Sequence, residues 1–128
     1  MQLKKILLID DEEAYLFMNE YFLRNCNIQC PIETASEGRE ALDKISEATE
    51  KPDLILLDMH MRGMNGLEFL AAFSKTSHCQ FAKVFIVSST ESEEEKSAAL
   101  AYKFVYGVIV KPQSNATTQQ ILKHFVLE

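Results

Sequence analysis

The chain has 128 residues, 47% of them hydrophobic and 25% charged, which is the composition of one ordinary globular domain and excludes disordered, collagen-like and coiled-coil proteins. The formal net charge of −6 argues against a nucleic-acid partner, because such binding depends on lysine and arginine, and it suits a cation or a basic protein partner. No apolar run approaches the roughly 20 residues that cross a membrane, so we expect no membrane partner. Cys26, Cys30 and Cys79 are best explained as reduced thiols, which predicts a cytoplasmic protein.

Along the chain, a strand-like run is followed by a helix-like run five times. In chain order the first elements are a strand over Leu3–Ile9, a helix over Glu12–Asn25, a strand over Gln29–Thr34, a helix capped by Ser36 that ends before Lys51, and a strand over Asp53–Leu57. The others are a helix over Leu67–Ser74, a strand over Lys83–Val87, a helix from a Ser92–Glu95 capping box to about Tyr102, a strand over Val105–Val110, and a last helix capped by Ser114 or Asn115.

Apolar residues near helical spacing indicate which faces of the helices are buried. In the first helix they are Leu16, Phe17, Tyr21 and Leu23, and in the last helix Ile121, Leu122, Phe125 and Val126. The regular alternation of strands and helices predicts an α/β fold, a three-layer doubly wound parallel sheet with helices on both faces.

Ligands of such sheets bind beyond the carboxyl ends of the strands, so the residues that end strands are the candidates for function. These residues are Asp10, Asp11, Asp58, Ser88 and Lys111. Three converging carboxylates require a cation, and carboxylate oxygens suit Mg²⁺. With a lysine and a hydroxyl group beside them, the set has the chemistry to hold a phosphoryl group.

Each of these residues also has a purely structural explanation. The Asp10–Asp11 pair is typical of a helix N-cap, and Asp58 before a glycine-rich loop is typical of a turn. Ser88 and Lys111 after their strands are equally typical of polar loops and solvated turns. Their joint occurrence on successive strands, at the edge of the sheet that binds ligands, favours a functional site.

Four sequence motifs resemble those of the response-regulator receiver domain, the CheY-like phosphoacceptor module of two-component signalling. They are ILLIDDEE, DLILLDMHMRGMNG, VFIVSS and GVIVKP, and the resemblance covers essentially the whole chain. It implies a five-stranded parallel sheet with the strand order 2-1-3-4-5.

The resemblance also implies a role for each residue of the site. Asp58 would accept a phosphoryl group from a histidine kinase or a histidine phosphotransfer protein, while Ser88 and Lys111 would bind that group. Mg²⁺ would be held by Asp10, Asp11, Asp58 and the backbone carbonyl of His60. The message would leave by protein–protein contact through the face formed by the fourth helix, the fifth strand and the fifth helix, or by onward phosphoryl transfer to a histidine phosphotransfer protein.

Two positions depart from the family pattern. Arg62 stands where the family often has proline, and we expect a less rigid loop and a solvated arginine there. Val108 stands where the family usually has an aromatic residue, whose rotamer changes together with the position of the Ser88 hydroxyl group. A stiff β-branched side chain cannot make this rotamer change. We therefore expect phosphorylation to cause only a small structural change on the face formed by the fourth helix, the fifth strand and the fifth helix. Backbone and loop motion, or Tyr102 or Tyr106, would carry this change.

We expect residues 1–128 to form one receiver domain without an effector domain. Two alternatives stay open. One is a degenerate receiver that acts as a scaffold without phosphorylation, which the intact acidic and basic residues disfavour. The other is an enzyme on the same fold, such as an aspartyl-phosphate phosphatase or a flavin binder. The segment Asp58–His60 lacks the phosphatase's second aspartate, and no hydroxyl-rich loop follows the first strand.

Overall fold

A computed structural model describes residues 2–89 and 92–126. Its strands are β1 (Ile6–Ile9), β2 (Ile32–Ala35), β3 (Leu54–Leu57), β4 (Lys83–Ser88) and β5 (Val105–Val110). Its α-helices are α1 (Glu13–Asn25), α2 (Gly38–Glu47), α3 (Gly66–Phe73), α4 (Glu93–Leu100) and α5 (Asn115–Leu122). A short 3₁₀ helix over Ser77–Gln80, which the sequence analysis did not predict, precedes β4.

The five strands of the described segments form one parallel sheet in the order β2-β1-β3-β4-β5, which confirms the predicted fold. β1 and β3 are buried on both faces because the sheet is covered by helices on both sides, and this explains their uninterrupted apolar sequences. One core cluster includes Phe69 and Phe73 of α3, and the other includes Leu23 of α1 and Ile121 of α5.

Several helix boundaries follow local capping chemistry. Ser92 and Ser114 cap α4 and α5 as predicted, each accepting a hydrogen bond from a backbone N–H of the first turn. The prediction for α2 was wrong, because the side chain of Glu37, not that of Ser36, accepts the hydrogen bond from the Glu40 N–H.

The predicted buried faces needed correction at two helices. Phe17 and Tyr21 share one face of α1 and are exposed, whereas Asn19 and Leu23 are the buried residues of that helix. Val126 is also exposed, because α5 ends at Leu122 and the helical spacing no longer applies beyond it. No helix in the described segments has the length and apolar character needed to cross a membrane.

Candidate functional site

The parallel sheet brings the strand-terminal residues to one edge. Asp10 follows β1, Asp58 follows β3, Ser88 ends β4 and Lys111 follows β5. The sheet hydrogen bonds continue past the strands, with the Asp58 N–H donating to the Ile9 carbonyl at 2.9 Å and the Lys111 N–H to the Ser88 carbonyl at 2.8 Å. All four residues are buried, although each is polar or charged. Buried charged groups require compensating partners. Here the charged side chains that follow separate strands compensate one another.

Lys111 is the centre of this cluster. Its Nζ donates a hydrogen bond to Asp10 Oδ2 at 2.7 Å and lies 3.6 Å from Asp58 Oδ1. The ammonium group also lies over the ring of Tyr15, 3.8 Å from its centroid. Burial by itself lowers the pKa of Lys111, but the hydrogen bond to Asp10 and the charges of Asp10 and Asp58 together raise it above its ordinary value.

Asp58 is in an environment that opposes its negative charge. Burial and the neighbouring charge of Asp10 raise its pKa to about 6, against an ordinary value of 3.8. The positive charge of Lys111 and a hydrogen bond from the His60 backbone N–H act in the opposite direction. The carboxylate therefore lies among two acids and one lysine, with less than full compensation of charge.

A group of carboxylates stands beside Asp58. Oxygens of Asp10, Asp11 and Glu12 lie within 4.8 Å of one another, an arrangement that suits Mg²⁺ because the ion prefers hard oxygen ligands. Asp10 and Asp11 were predicted from the sequence, but Glu12, the N-cap of α1, was not, because a glutamate at the start of a helix gives no metal-site signal. Asp58, the third predicted carboxylate ligand, is not a member of this close group.

Arg62 stands at the rim of the acidic group. Its backbone N–H donates to Asp11 Oδ2 at 3.2 Å, and its Nε lies 3.7 Å from the same oxygen. The arginine side chain is 93% exposed, in line with the expected solvated cation. Such an exposed ion pair adds little stability, so the backbone hydrogen bond is the contact that holds Asp11.

The loop between β3 and α3 is held by residues that the sequence analysis did not single out. The Glu37 side chain accepts a hydrogen bond from the Met64 N–H at 3.2 Å, and the Gly38 N–H donates to the Met64 carbonyl at 3.1 Å. Hydrogen bonds from the Glu40 N–H, which has the largest effect, and from the Met64 N–H lower the pKa of Glu37, because they stabilise its ionised form. Gly63 allows the turn with a φ of +73°. Contacts with the start of α2 thus constrain a loop that lacks the usual proline.

His60 links this loop to α4. Its Nε2 lies 3.0 Å from Glu95 Oε1, while its backbone N–H donates to the Asp58 carboxylate. The side chain therefore connects the neighbourhood of Asp58 directly with the first turn of α4.

Val108 borders a cavity of about 210 Å³ between α4 and the sheet. The cavity is lined by Met59, Ile86, Ser88, Val110 and residues of the first turn of α4. Tyr102 and Tyr106 are not among its lining residues: Tyr102 stacks on Phe104, and Tyr106 packs near His124 on the α5 side. The described structure therefore places neither tyrosine in this cavity.

Comparison with known proteins identifies this arrangement. Residues 6–123 match the family described as the response regulator receiver domain. The chain belongs to this family. The receiver domain also resembles the solved structure of the chemotaxis protein CheY4 of Vibrio cholerae, with 30% identity, a TM-score of 0.82, and coverage of 97% of this chain and 99% of that one.

Two curated relatives are longer proteins. The receiver domain is 29% identical over 126 residues to the transcriptional regulatory protein CitT of Halalkalibacterium halodurans, covering 98% of this chain and 53% of that protein. It is 35% identical over 116 residues to a protein-glutamate methylesterase/protein-glutamine glutaminase of Geobacillus kaustophilus, covering 88% of this chain and 31% of that protein. The chain thus spans about a third to a half of these relatives' lengths. Receiver domains are phosphoacceptor signalling domains, and the matched part of this chain is such a domain.

Proposed function

We propose that Asp58 accepts a phosphoryl group from a histidine kinase or a histidine phosphotransfer protein. The observation that carries the proposal is the position of Lys111, whose Nζ lies between the carboxylates of Asp10 and Asp58 in a buried cluster. A cation held 3.6 Å from the Asp58 carboxylate is in place to offset the charge that arrives with a phosphoryl group. An N-cap or turn aspartate would need no such partner.

In the proposed reaction an Asp58 carboxylate oxygen attacks phosphorus. A new P–O bond forms, while the P–N bond to the donor histidine breaks and its electron pair stays on the imidazole nitrogen. Lys111 and the Ser88 hydroxyl group bind oxygens of the transferred group. Since an aspartate is a modest nucleophile, these residues contribute mainly by position and by neutralisation of charge.

We assign Asp10, Asp11, Asp58 and the His60 carbonyl to Mg²⁺, with Glu12 adjacent to them. When bound, the ion would neutralise negative charge on the carboxylates and the phosphoryl oxygens. The fit of the site rests on its donor set, in which oxygens of Asp10, Asp11 and Glu12 lie within 4.8 Å of one another. Asp10 also orders the site without an ion, because its Oδ1 accepts a hydrogen bond from the Glu12 N–H at 3.0 Å and its Oδ2 binds Lys111.

We further propose that residues 1–128 act as one receiver domain whose message leaves by protein–protein contact through the α4–β5–α5 face. The link from His60 to Glu95 supports this proposal, because it joins the acceptor loop to α4. The acidic net charge favours a protein target over nucleic acid. The free thiols of Cys26, Cys30 and Cys79 favour a cytoplasmic location.

The test is intact-mass measurement after incubation with acetyl phosphate, with and without Mg²⁺. We expect a Mg²⁺-dependent gain of one phosphoryl group that is lost in Asp58→Ala and kept in Asp43→Ala, which removes an exposed aspartate of α2. An adduct that persists in Asp58→Ala would overturn the assignment. Absence of any adduct would favour the scaffold alternative, and sustained release of phosphate at enzymatic rates would favour a phosphatase.

A further inference from the structure

Tyr15 lies in the first turn of α1 and has no role in the reaction proposed above. Its ring lies against the ammonium group of Lys111, with 3.8 Å between Nζ and the ring centroid. The ring is half-buried, and the Lys111 side chain is only 2% exposed. The contact therefore belongs to the interior of the site and not to its solvated rim.

The surroundings of the ammonium group explain why a ring matters there. Asp10 lies at 2.7 Å and Asp58 at 3.6 Å, so the lysine is nearer to the carboxylate that is not the proposed acceptor. A buried ammonium group is costly unless its charge is compensated. The face of an aromatic ring attracts a cation, and this attraction strengthens when water is excluded.

A ring face differs from a hydrogen-bond acceptor in one useful respect. The attraction comes from the charge distribution over the whole ring, so a cation can move across the face without losing it. An ammonium group on Tyr15 could turn from Asp10 towards a phosphoryl group on Asp58 while the ring contact persists. A third carboxylate in the same place would instead compete with the phosphoryl group for the lysine.

We propose that Tyr15 is a positioning residue for phosphoryl transfer, its ring holding the Lys111 ammonium group between Asp10 and Asp58. The inference rests on the proposed function, because it assumes that Asp58 is the acceptor. It assigns the role to the aromatic face and not to the tyrosine hydroxyl group. Phenylalanine should therefore serve at this position, whereas an aliphatic residue of similar bulk should not.

The experiment compares the initial rates at which the wild type, Tyr15→Phe and Tyr15→Leu form the acyl phosphate from acetyl phosphate at saturating Mg²⁺. We expect Tyr15→Leu to react roughly five- to tenfold more slowly, the loss of a desolvated cation–π contact, and Tyr15→Phe to restore the rate. Tyr21→Leu, which removes an exposed tyrosine of the same helix, is the matched control and should react like the wild type. Mg²⁺ affinity should be the same in Tyr15→Leu, because the ring is not a ligand.

An NMR measurement tests the contact independently of the reaction. The ring should shift the Cε protons of Lys111 upfield in the wild type and in Tyr15→Phe, but not in Tyr15→Leu, and thermal unfolding would verify that all variants are folded. Equal Lys111 shifts in the three proteins, or a wild-type rate in Tyr15→Leu, would overturn the positioning role alone. A wild type that forms no acyl phosphate would overturn the proposed function and the positioning role together.

Discussion

At the scale of single residues, the site holds more negative charge than its lysine can balance. Asp10, Asp11 and Asp58 share the edge of the sheet with Lys111, and the pKa of Asp58 rises to about 6 as a result of burial and of Asp10. Folding therefore brings together charges that repel one another in the absence of a cation. A site that binds an ion and a phosphoryl group has to accept this loss of stability.

The repulsion among these carboxylates predicts that Asp58→Asn stabilises the metal-free protein. The pKa of Asp58 is higher in the folded chain than its ordinary 3.8, so the penalty on the ionised form is complete above about pH 6 and disappears below 3.8. In EDTA at pH 7.5, urea unfolding should show Asp58→Asn more stable by up to about 3 kcal/mol, at about 1.4 kcal/mol per pKa unit. The difference should shrink as the pH falls through this window.

Asp43→Asn provides the control for that prediction, because Asp43 is an exposed residue of α2. Its free energy of unfolding should follow that of the wild type at every pH. Equal stability of Asp58→Asn and the wild type at pH 7.5 would contradict the electrostatic account.

The strand-terminal residues of the site were predictable from the sequence, and their neighbours were not. A strand that ends in Asp10, Asp58 or Lys111 carries its own signal, because parallel topology fixes which edge the residue reaches. Glu12 and Tyr15 lie at the N-cap and in the first turn of α1, a helix whose pattern indicates only which side is buried. Their contacts depend on side-chain positions relative to another strand, and the periodicity of α1 contains no such information.

At the scale of elements, the loop between β3 and α3 depends on the start of α2. The Glu37 side chain caps α2 and also accepts the Met64 N–H, so a single carboxylate serves a helix and a loop. The sequence predicted Ser36 as the cap because serine is a preferred capping residue. The choice between two adjacent polar residues depends on a tertiary contact, which local preference does not contain.

Gly63→Ala tests this arrangement. The glycine has a φ of +73°, and an added Cβ would collide with the Glu37 carboxylate, so we expect a loss of roughly 1–2 kcal/mol in the free energy of unfolding. Gly107→Ala is the comparison, because its Cβ would meet the Phe85 ring at 3.4 Å, a tight but tolerable distance, and should cost less. Chemical denaturation gives the free energy of unfolding of both variants. A Gly63→Ala variant as stable as the wild type would show that the loop does not require glycine at this position.

The attachment of α4 is the second element-scale feature. Ala99 is its one buried residue, so few contacts hold α4 to the rest of the domain, and the contact of Glu95 with His60 is one of them. Glu95→Ala should accelerate hydrogen–deuterium exchange across α4 relative to α5, because local opening is easier where buried contacts are few. Glu94→Ala removes the same charge from an exposed position and should leave exchange unchanged. Equal exchange in both variants would show that the His60 contact does not anchor the helix.

For the whole molecule, the layered architecture followed from the alternation of buried strands and amphipathic helices, and the strand order followed from the family resemblance. The route of the signal followed from neither. Val108 lines a cavity beside Ser88, at the position where the family usually has an aromatic residue, while His60 joins the acceptor loop to α4. The described structure thus offers a connection through His60 that does not require movement at position 108. Sequence resemblance revealed the departure at Val108, but the contact between His60 and Glu95 became visible only in three dimensions.

This route predicts the distribution of changes on activation. When beryllofluoride, a mimic of the phosphoryl group, binds in the presence of Mg²⁺, amide chemical-shift changes should be large at Ser88, at Lys111 and in the first turn of α4, and small at Val108. Substitution His60→Ala should reduce the changes in α4 but not those at Lys111. Large changes centred on Val108 would contradict the prediction.

Chemical trapping of the phosphoryl group identifies the acceptor residue, which we propose is Asp58. Borohydride reduces an aspartyl phosphate to homoserine, which peptide mapping by mass spectrometry locates in the wild-type chain without any substitution. After incubation with acetyl phosphate and Mg²⁺, we predict homoserine at position 58. Reduction at Asp10, Asp11 or Glu12, or no reduced residue in a chain exposed to the donor, would contradict the account.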